Sequence, residues 1–147
     1  MDQLAHAIAT KNQRPTIYVL PSGLVRLYPS NLRKVLESEM SDRICFISEF
    51  EFDQPVLKTN FFVRNRLIAA LGLMTLVTQA SQKSGSLLTV HHALEIGRPV
   101  MAVPSHPDLY GFEANLNLLH DGATMIKDSQ DLHEIWMAES WTEQTFV

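Results

Sequence analysis

Short apolar runs alternate along the chain with longer segments whose apolar residues recur every three or four positions. The first pattern is typical of β-strands and the second of amphipathic helices. The predicted strands are TIYVL (16–20), RICFIS (43–48), LMTLVTQA (73–80), PVMAVP (99–104) and ATMI (123–126). The predicted helices are SNLRKVLESEM (30–40), FFVRNRLIAALG (61–72), SLLTVHHALEIG (86–97), FEANLNLLHDG (112–122) and SQDLHEIWMAES (129–140).

Strands joined by helices of this length need crossover connections, which place the strands parallel to one another. The pattern therefore predicts an α/β, Rossmann-like fold, with a parallel sheet of about five strands and flanking helices in three layers. Ser30 and Ser129 stand where helix N-caps are expected, and Gly72 and Gly97 where helices end. The 147 residues suit one domain, 1–147, with 136–147 as a helix end and tail.

The composition is that of a folded globular protein, with 46% hydrophobic and 19% charged residues. The formal net charge of −4 means that any contact with nucleic acid must come from a local basic patch. Cys45 is the single cysteine and lies in an apolar run, which predicts a buried structural thiol. The N-terminus lacks the apolar core of a signal peptide, and no apolar run reaches the length of a membrane span, so a cytoplasmic location is expected.

Small and polar residues follow the predicted strands at their carboxyl ends. In open parallel sheets, ligands bind at this edge. The segments concerned are Pro21-Ser22-Gly23, Ser48-Glu49, Gln79-Ala80-Ser81 and Pro104-Ser105. The long connection 49–60 opens from the same edge. The small residues leave room at this edge for a ligand or for another stretch of backbone. A long loop in this place is often functional, although a plain surface excursion is the commoner case.

The segment Lys83-Ser84-Gly85-Ser86 lies at a strand-to-helix turn. The first N–H groups of a helix favour anions, two hydroxyls add donors and the lysine adds a full positive charge. This pattern is typical of a phosphate site. An ordinary capped helix start with a solvated lysine is the alternative.

The triplet Arg64-Asn65-Arg66 falls on a predicted helix. At about 100° per residue, Arg64 lies on the apolar face, and Arg66 points roughly 200° away from it. An arginine on an apolar face needs a partner, for which Glu49 and Glu51 are candidates, or it must line a wet cleft. A structural ion pair for Arg64 with a solvated Arg66 is the alternative to ligand contact.

Six histidines do not amount to a metal site. His91 and His92 are neighbours on a helix and diverge by about 100°, and His91 with Glu95 has no third ligand. The HEIWM segment lacks the second histidine of a zincin motif. No Walker loop, Gly-x-Gly-x-x-Gly or nucleophile elbow is present in the sequence. We therefore expect no metal, no cofactor and no catalytic residue.

Taken together, the segments resemble the DNA-processing protein A family (DprA, also called Smf), in the family's own order. The matching pieces are TIYVLPSGLVRLYPSNLRKV, FISEF, FFVRNRLIAALG, LVTQASQKSGSLLTVHHALEIGRPVMAVP and HDGATMI. AHAIAT is similar to the end of a preceding helix. Phe62, Gln79, Val90 and Ser105 replace residues that are usual in the family.

The resemblance implies a protein that holds single-stranded DNA without catalysis and helps load a RecA-type recombinase during DNA uptake or repair. Carried over by position, it assigns nucleic-acid contacts to Arg64, Asn65, Arg66, Lys83, Ser84, Gly85, Ser86 and Thr89. It also implies that the family's earlier Rossmann half, with its Gly-Ser-Arg phosphate loop, is missing from this shortened chain. The open sheet edge that results is expected to be covered in a homodimer or by a partner chain.

Two other hypotheses remain at the level of sequence. An anion-binding edge also suits a Rossmann protein that binds or hydrolyses nucleotides, although Gln82-Lys83-Ser84-Gly85 stands where phosphoribohydrolases carry a Pro-Gly-Gly turn. The third hypothesis is an accessory protein that keeps the fold and has lost DNA binding.

Overall fold

The structure is a computed structural model and describes residues 2–36 and 41–138. The helices in these residues are α1 (Asp2–Lys11), α2 (Leu32–Leu36), α3 (Lys58–Leu71), α4 (Ser86–Glu95), α5 (Glu113–His120) and α6 (Ser129–Ala138), with a short 3₁₀ helix at Ser41–Arg43. The strands are β1 (Thr16–Val19), β2 (Ile44–Ile47), β3 (Thr75–Val77), β4 (Val100–Ala102) and β5 (Thr124–Met125). The end of the predicted helix 30–40, including Met40, and most of 136–147 lie outside the described residues.

All strand pairs are parallel, which confirms the predicted α/β fold with about five parallel strands. The strands form two sheets instead of one, in the orders β1–β2 and β3–β4–β5. The hydrophobic pattern predicts how many strands there are and how they are connected. It carries no information on which strands share a hydrogen-bonded ladder.

The chain divides into two compact units, Met1–Gly72 and Leu73–Val147. Unit 1 contains β1, β2 and helices α1 to α3. Unit 2 contains β3 to β5 and helices α4 to α6. Each unit is described by itself below.

In unit 1, β1 pairs with β2 from Thr16 opposite Ile44 to Val19 opposite Ile47. Helix α1 packs on one face of this pair. The ring of His6 stacks on Tyr18 at 3.8 Å between centroids, and Tyr18 stacks on Phe46 at 5.0 Å. Burial under this stack raises the pKa of the Tyr18 hydroxyl.

The other face of the β1–β2 pair carries Ile17 and Cys45, which are directly opposite each other. Ile17 is 47% exposed and Cys45 is also exposed. The prediction of a buried thiol at Cys45 is therefore wrong. An apolar run shows only that a strand has apolar side chains on both faces. It does not show that other parts of the protein pack against both faces.

In unit 2, the central strand β4 is buried along its whole length. Helix α4 contributes Val90 and Ala93 to the core, and the end of β5 contributes Ile126. Helix α4 ends at Glu95, and the predicted stop at Gly97 lies just beyond this end. The φ of +70° at Gly97 allows Gly97 N–H to bond Leu94 O and Arg98 N–H to bond Ala93 O. Such paired bonds complete the helix end without a side-chain cap.

The starts of α2 and α3 and the capping residue of α6 differ from prediction, whereas α6 begins at Ser129 as predicted. Helix α3 begins at Lys58, three residues before the predicted start, since Asn60 belongs to its first turn. Helix α2 begins at Leu32, so that Ser30 is not its N-cap. Helix α6 is capped by Asp128, whose carboxylate accepts the N–H groups of Gln130 and Asp131 at 2.8 and 3.2 Å, and not by Ser129. A carboxylate is as good a cap as a hydroxyl, and it also favours the positive helix end.

Candidate nucleic-acid interface

The carboxyl ends of β1 and β2 meet through two serines, as the sequence predicted for this edge. Ser48 donates its hydroxyl to the carbonyl of Ser22 at 2.7 Å. The buried hydroxyl of Ser22 donates in turn to the carbonyl of Arg26 at 2.6 Å. These bonds fix the backbone that leaves both strands, so the edge of unit 1 is an ordered surface.

Helix α3 holds Arg64 half-buried against β1. Its guanidinium donates to the carbonyl of Val19 at 2.6 Å and lies 5.4 Å from the ring centroid of Phe61. The candidate ion pairs of Arg64 with Glu49 or Glu51 are therefore wrong. The carbonyl at the strand end and the aromatic ring are two of its partners, and both offer negative charge to the guanidinium.

Arg66 occupies the exposed side of α3. Its side chain is 52% exposed and forms an ion pair with Glu49 at 2.5 Å. The helix is regular, so Arg64 and Arg66 point in different directions, as predicted. Any phosphate that binds Arg66 has to compete with Glu49, although an exposed pair of this kind contributes little to stability.

Asn65 is turned inward and is only 8% exposed. Asn60 lies one turn before it, is also buried, and donates its side-chain amide to the carbonyl of Pro21 at 2.8 Å. The helix thus buries asparagines as well as Ala69, whereas Leu71, which the helical pattern placed on the apolar face, is 46% exposed. With so little surface, Asn65 has a small capacity for ligand contact.

In unit 2, the segment Lys83-Ser84-Gly85-Ser86 forms the turn that leads into α4. Lys83, Gly85 and Ser86 are exposed, and Ser84 is half-buried. Ser84 Oγ accepts the Ser86 N–H at 3.3 Å, and the carbonyls of Ser84 and Gly85 accept the next two N–H groups. Several of the backbone N–H groups that were expected to bind an anion are therefore hydrogen-bonded within the turn. Lys83 and the serine hydroxyls remain as the outward donors.

Gly85 has an ordinary helical conformation, with φ −61° and ψ −20°. A Cβ added at this position would meet open space within 4 Å. Neither the backbone conformation nor the packing of unit 2 requires glycine here. The remaining explanation for glycine is that the absence of a side chain lets a ligand approach the backbone closely.

Thr89 lies one turn into α4 and is half-buried. His91 and His92 follow it, and both contact Glu95, at 3.3 and 3.1 Å. Across residues 2–36 and 41–138, no three histidine, cysteine or acidic side chains are grouped as metal ligands.

Asn115 is the main polar group at the edge of unit 2, and the sequence analysis missed it. Its side chain is fully buried, accepts the N–H of Ala80 at 2.8 Å, and donates to the carbonyls of Val77, Thr78 and Val103 at 3.1, 3.3 and 3.0 Å. It thus joins the carboxyl ends of β3 and β4. The only signal in the sequence is a polar residue inside the apolar pattern of α5.

Glu113 closes the turn before α5. Its carboxylate accepts the N–H of Gly111 at 3.1 Å, where the backbone has a φ of +87°. This bond lowers the pKa of the Glu113 carboxyl, and the residue's own N–H lowers it further. The charged form therefore stabilises the turn at neutral pH.

Parallel strands and crossover helices define a Rossmann-like fold. Each of the two units carries cationic groups near its strand ends, and in unit 2 these include the exposed lysine turn at the start of α4. A model of the DNA recombination-mediator protein A family matches residues 1–137. The chain belongs to this family, which includes the DprA and Smf proteins.

Curated relatives agree with this assignment. Protein Smf of Synechocystis sp. is 35% identical over 132 residues, covering 90% of this chain and 33% of that protein. DNA processing protein DprA of Bacillus subtilis is 36% identical over 136 residues, covering 91% of this chain and 45% of that protein. The chain therefore spans between a third and a half of the length of these relatives.

Solved structures give the same result for the fold. The X-ray structure of DNA processing protein A from Streptococcus pneumoniae matches with a TM-score of 0.78 and 33% identity, covering 94% of this chain and 47% of that one. DNA processing protein A from Helicobacter pylori, described with a single-stranded DNA binding mode, matches with a TM-score of 0.71 and 29% identity. That match covers 84% of this chain and 57% of the other.

The helices that the structure describes include none with both the length and the apolar character needed to cross a bilayer.

Proposed function

We propose that the chain binds single-stranded DNA without catalysing a reaction on it. The observation that carries the proposal is the exposed Lys83 turn at the start of α4, in a chain whose family match spans residues 1–137. A structural relative described as binding single-stranded DNA supports the same class of ligand. No residue is assigned a catalytic role.

In unit 2, the contact is with phosphate groups. The ammonium of Lys83 is an exposed point charge with three donors, and the hydroxyls of Ser84 and Ser86 add directed hydrogen bonds. Ser84 Oγ accepts the Ser86 N–H, which leaves its own proton for a phosphate oxygen. Thr89, half-buried one turn into α4, is proposed as a further hydroxyl contact to the strand.

In unit 1, the proposed contact is made by α3. Arg66 is exposed, and it binds a phosphate group once its ion pair with Glu49 is broken. Arg64 acts through its half-buried guanidinium, which also holds Phe61. Asn65 is assigned mainly to packing within α3, given its small exposed area.

The Lys83→Glu variant tests the contribution of the turn. A lysine that contacts phosphate releases counterions from the strand, so its loss weakens binding for every sequence and lowers the salt slope by roughly 1. We expect the dissociation constant for labelled oligothymidylate to rise about tenfold at low salt. Fluorescence anisotropy at several salt concentrations measures both quantities.

The matched control for this variant is Lys11→Glu, which makes the same charge change at an exposed position in the last turn of α1. If the two variants weaken binding equally, the effect comes from net charge and the assignment of the turn is wrong. Unchanged binding by Lys83→Glu would contradict the assignment as well.

The recombinase partner, the cytoplasmic location and the oligomeric state are proposed from the family resemblance. We infer that the bound strand is passed to a RecA-type recombinase during uptake or repair of DNA in the cytoplasm. A homodimer, or another chain, is expected to cover the exposed sheet residues Ile17 and Cys45. Light scattering of the purified chain, alone and with a recombinase, measures both associations.

A further inference from the structure

Unit 1 contains an open, solvent-accessible cavity of about 370 Å³, which is lined by none of the residues assigned above to DNA contact. It lies between the segment that leads from β1 to α2 and the segment 55–56 that precedes α3. Arg26, Tyr28, Ser30 and Arg33 line it with polar groups, and valine, leucine and proline side chains form the remaining walls. Its volume is at the lower end of the roughly 300–1,000 Å³ typical of small-molecule sites.

The charge of this cavity is opposite to that of the chain. Two arginines line it and none of its described lining residues is acidic, whereas the chain has a formal net charge of −4. Neither arginine forms an ion pair with a carboxylate in the part of the chain that the structure describes. Arg26 is oriented by a bond from its Nε to the carbonyl of Asp53 at 3.3 Å. Two guanidinium groups that face one cavity and have no carboxylate partner among the described residues favour an anion, and phosphate matches the fork of the guanidinium.

Tyr28 adds an aromatic surface to the same cavity. Its side chain is 46% exposed, and its ring is held edge-on against Phe61 at 5.7 Å and 88°. Phe61 is itself held by Arg64. An exposed aromatic ring with a fixed position is the kind of surface on which a nucleobase stacks.

Backbone hydrogen bonds join the two segments that form the cavity. Gly23 N–H bonds the carbonyl of Gln54 at 2.9 Å, and Val25 N–H bonds the carbonyl of Phe52 at 3.0 Å. These bonds tie the two segments together on the side next to the cavity. A fixed site loses less conformational freedom on binding, which favours affinity.

We propose that this cavity binds one nucleoside 5′-phosphate, with the phosphate between Arg26 and Arg33 and the base against Tyr28. The nucleotide is either one residue of a DNA strand or a free mononucleotide, because both present the same chemistry. Where it belongs to a strand, the inference rests on the proposed function and adds a subsite to it. Where it is free, the inference stands alone.

The test uses the double variant Arg26→Ala/Arg33→Ala, with Lys34→Ala as the matched control. Lys34 is an exposed cation next to Arg33 in α2 that does not line the cavity. Thymidine 5′-monophosphate, thymidine and a short oligothymidylate with a 5′-phosphate are titrated by calorimetry. We expect the double variant to weaken binding of a phosphorylated probe at least about tenfold. The control should change it by less than about twofold, and thymidine should bind far more weakly than its phosphate.

The outcomes separate the two proposals. Loss of mononucleotide binding in the double variant supports a site for the free nucleotide, and loss of oligothymidylate binding alone supports a subsite for a strand. The cavity proposal is overturned if the double variant and Lys34→Ala change the affinity for both probes equally, even if oligothymidylate binds well. If oligothymidylate does not bind the unaltered chain but the mononucleotide binds through the two arginines, the proposed DNA binding fails and the cavity remains. Absence of binding by every phosphorylated probe overturns both.

Discussion

Replacement of Asn115 by alanine is expected to lower the free energy of unfolding by about 3 kcal/mol or more. The side-chain amide of this residue is fully buried and makes four hydrogen bonds to the backbone of β3, β4 and the segments that follow them. Truncation removes that partner from three carbonyls and one N–H at buried and part-buried positions, and it opens a small cavity. Chemical denaturation measures the loss directly.

The control for this variant is Asn117→Ala. Asn117 lies two positions further along α5, is exposed, and uses only its backbone in the bonds that the structure describes. Its replacement is expected to change stability by less than about 0.5 kcal/mol. Similar effects of the two replacements would show that the buried amide does not hold the strand ends of unit 2.

Replacement of Gly23 by alanine is expected to destabilise unit 1 by about 2 kcal/mol. A Cβ at this position would overlap the carbonyl groups of Glu51 and Phe52, and it would lie 2.6 Å from the carbonyl carbon of Phe52. These are backbone atoms, so relief requires the two segments to separate. That movement breaks the bonds from Gly23 to Gln54 and from Val25 to Phe52 that fix the cavity wall. Thermal unfolding followed by circular dichroism measures the stability change.

Gly85→Ala is the matched control, because a Cβ at Gly85 meets open space and its φ is ordinary. It is expected to leave stability unchanged or to raise it by a few tenths of a kcal/mol, since alanine restricts the unfolded chain more than glycine. If Gly23→Ala proves as stable as Gly85→Ala, a Cβ at position 23 does not force the two backbone segments apart, and the explanation for Gly23 is wrong.

Much of the fold could be predicted from the sequence, because strand and helix periodicities differ and because Gly97 marks a helix end. The five strands, their parallel direction and the helices between them follow from this pattern. The division into two sheets could not be predicted, nor could the exposure of Cys45. Both depend on what lies beside a strand in space, and a single strand's pattern does not record its neighbours.

The candidate site was predictable in part. The sequence places Lys83 at a strand-to-helix turn and separates Arg64 from Arg66, and the structure agrees on both points. It does not show that Glu49 pairs with Arg66 rather than with Arg64, because a residue's ion-pair partner depends on the side chains that come near it in space. The role of Asn115 could not be predicted from the sequence for a similar reason. A buried asparagine is recognisable only when the carbonyls that surround it are known.

Titration of one labelled oligothymidylate and one duplex of the same length, each at low and at physiological salt, tests whether the chain binds single-stranded DNA. We expect the unaltered chain to bind the single strand more tightly than the duplex. We also expect the affinity to fall with salt, with a logarithmic slope of about −0.7 for each phosphate neutralised. Absence of binding at low salt, or equal affinity for strand and duplex with no salt dependence, would contradict the proposed DNA binding.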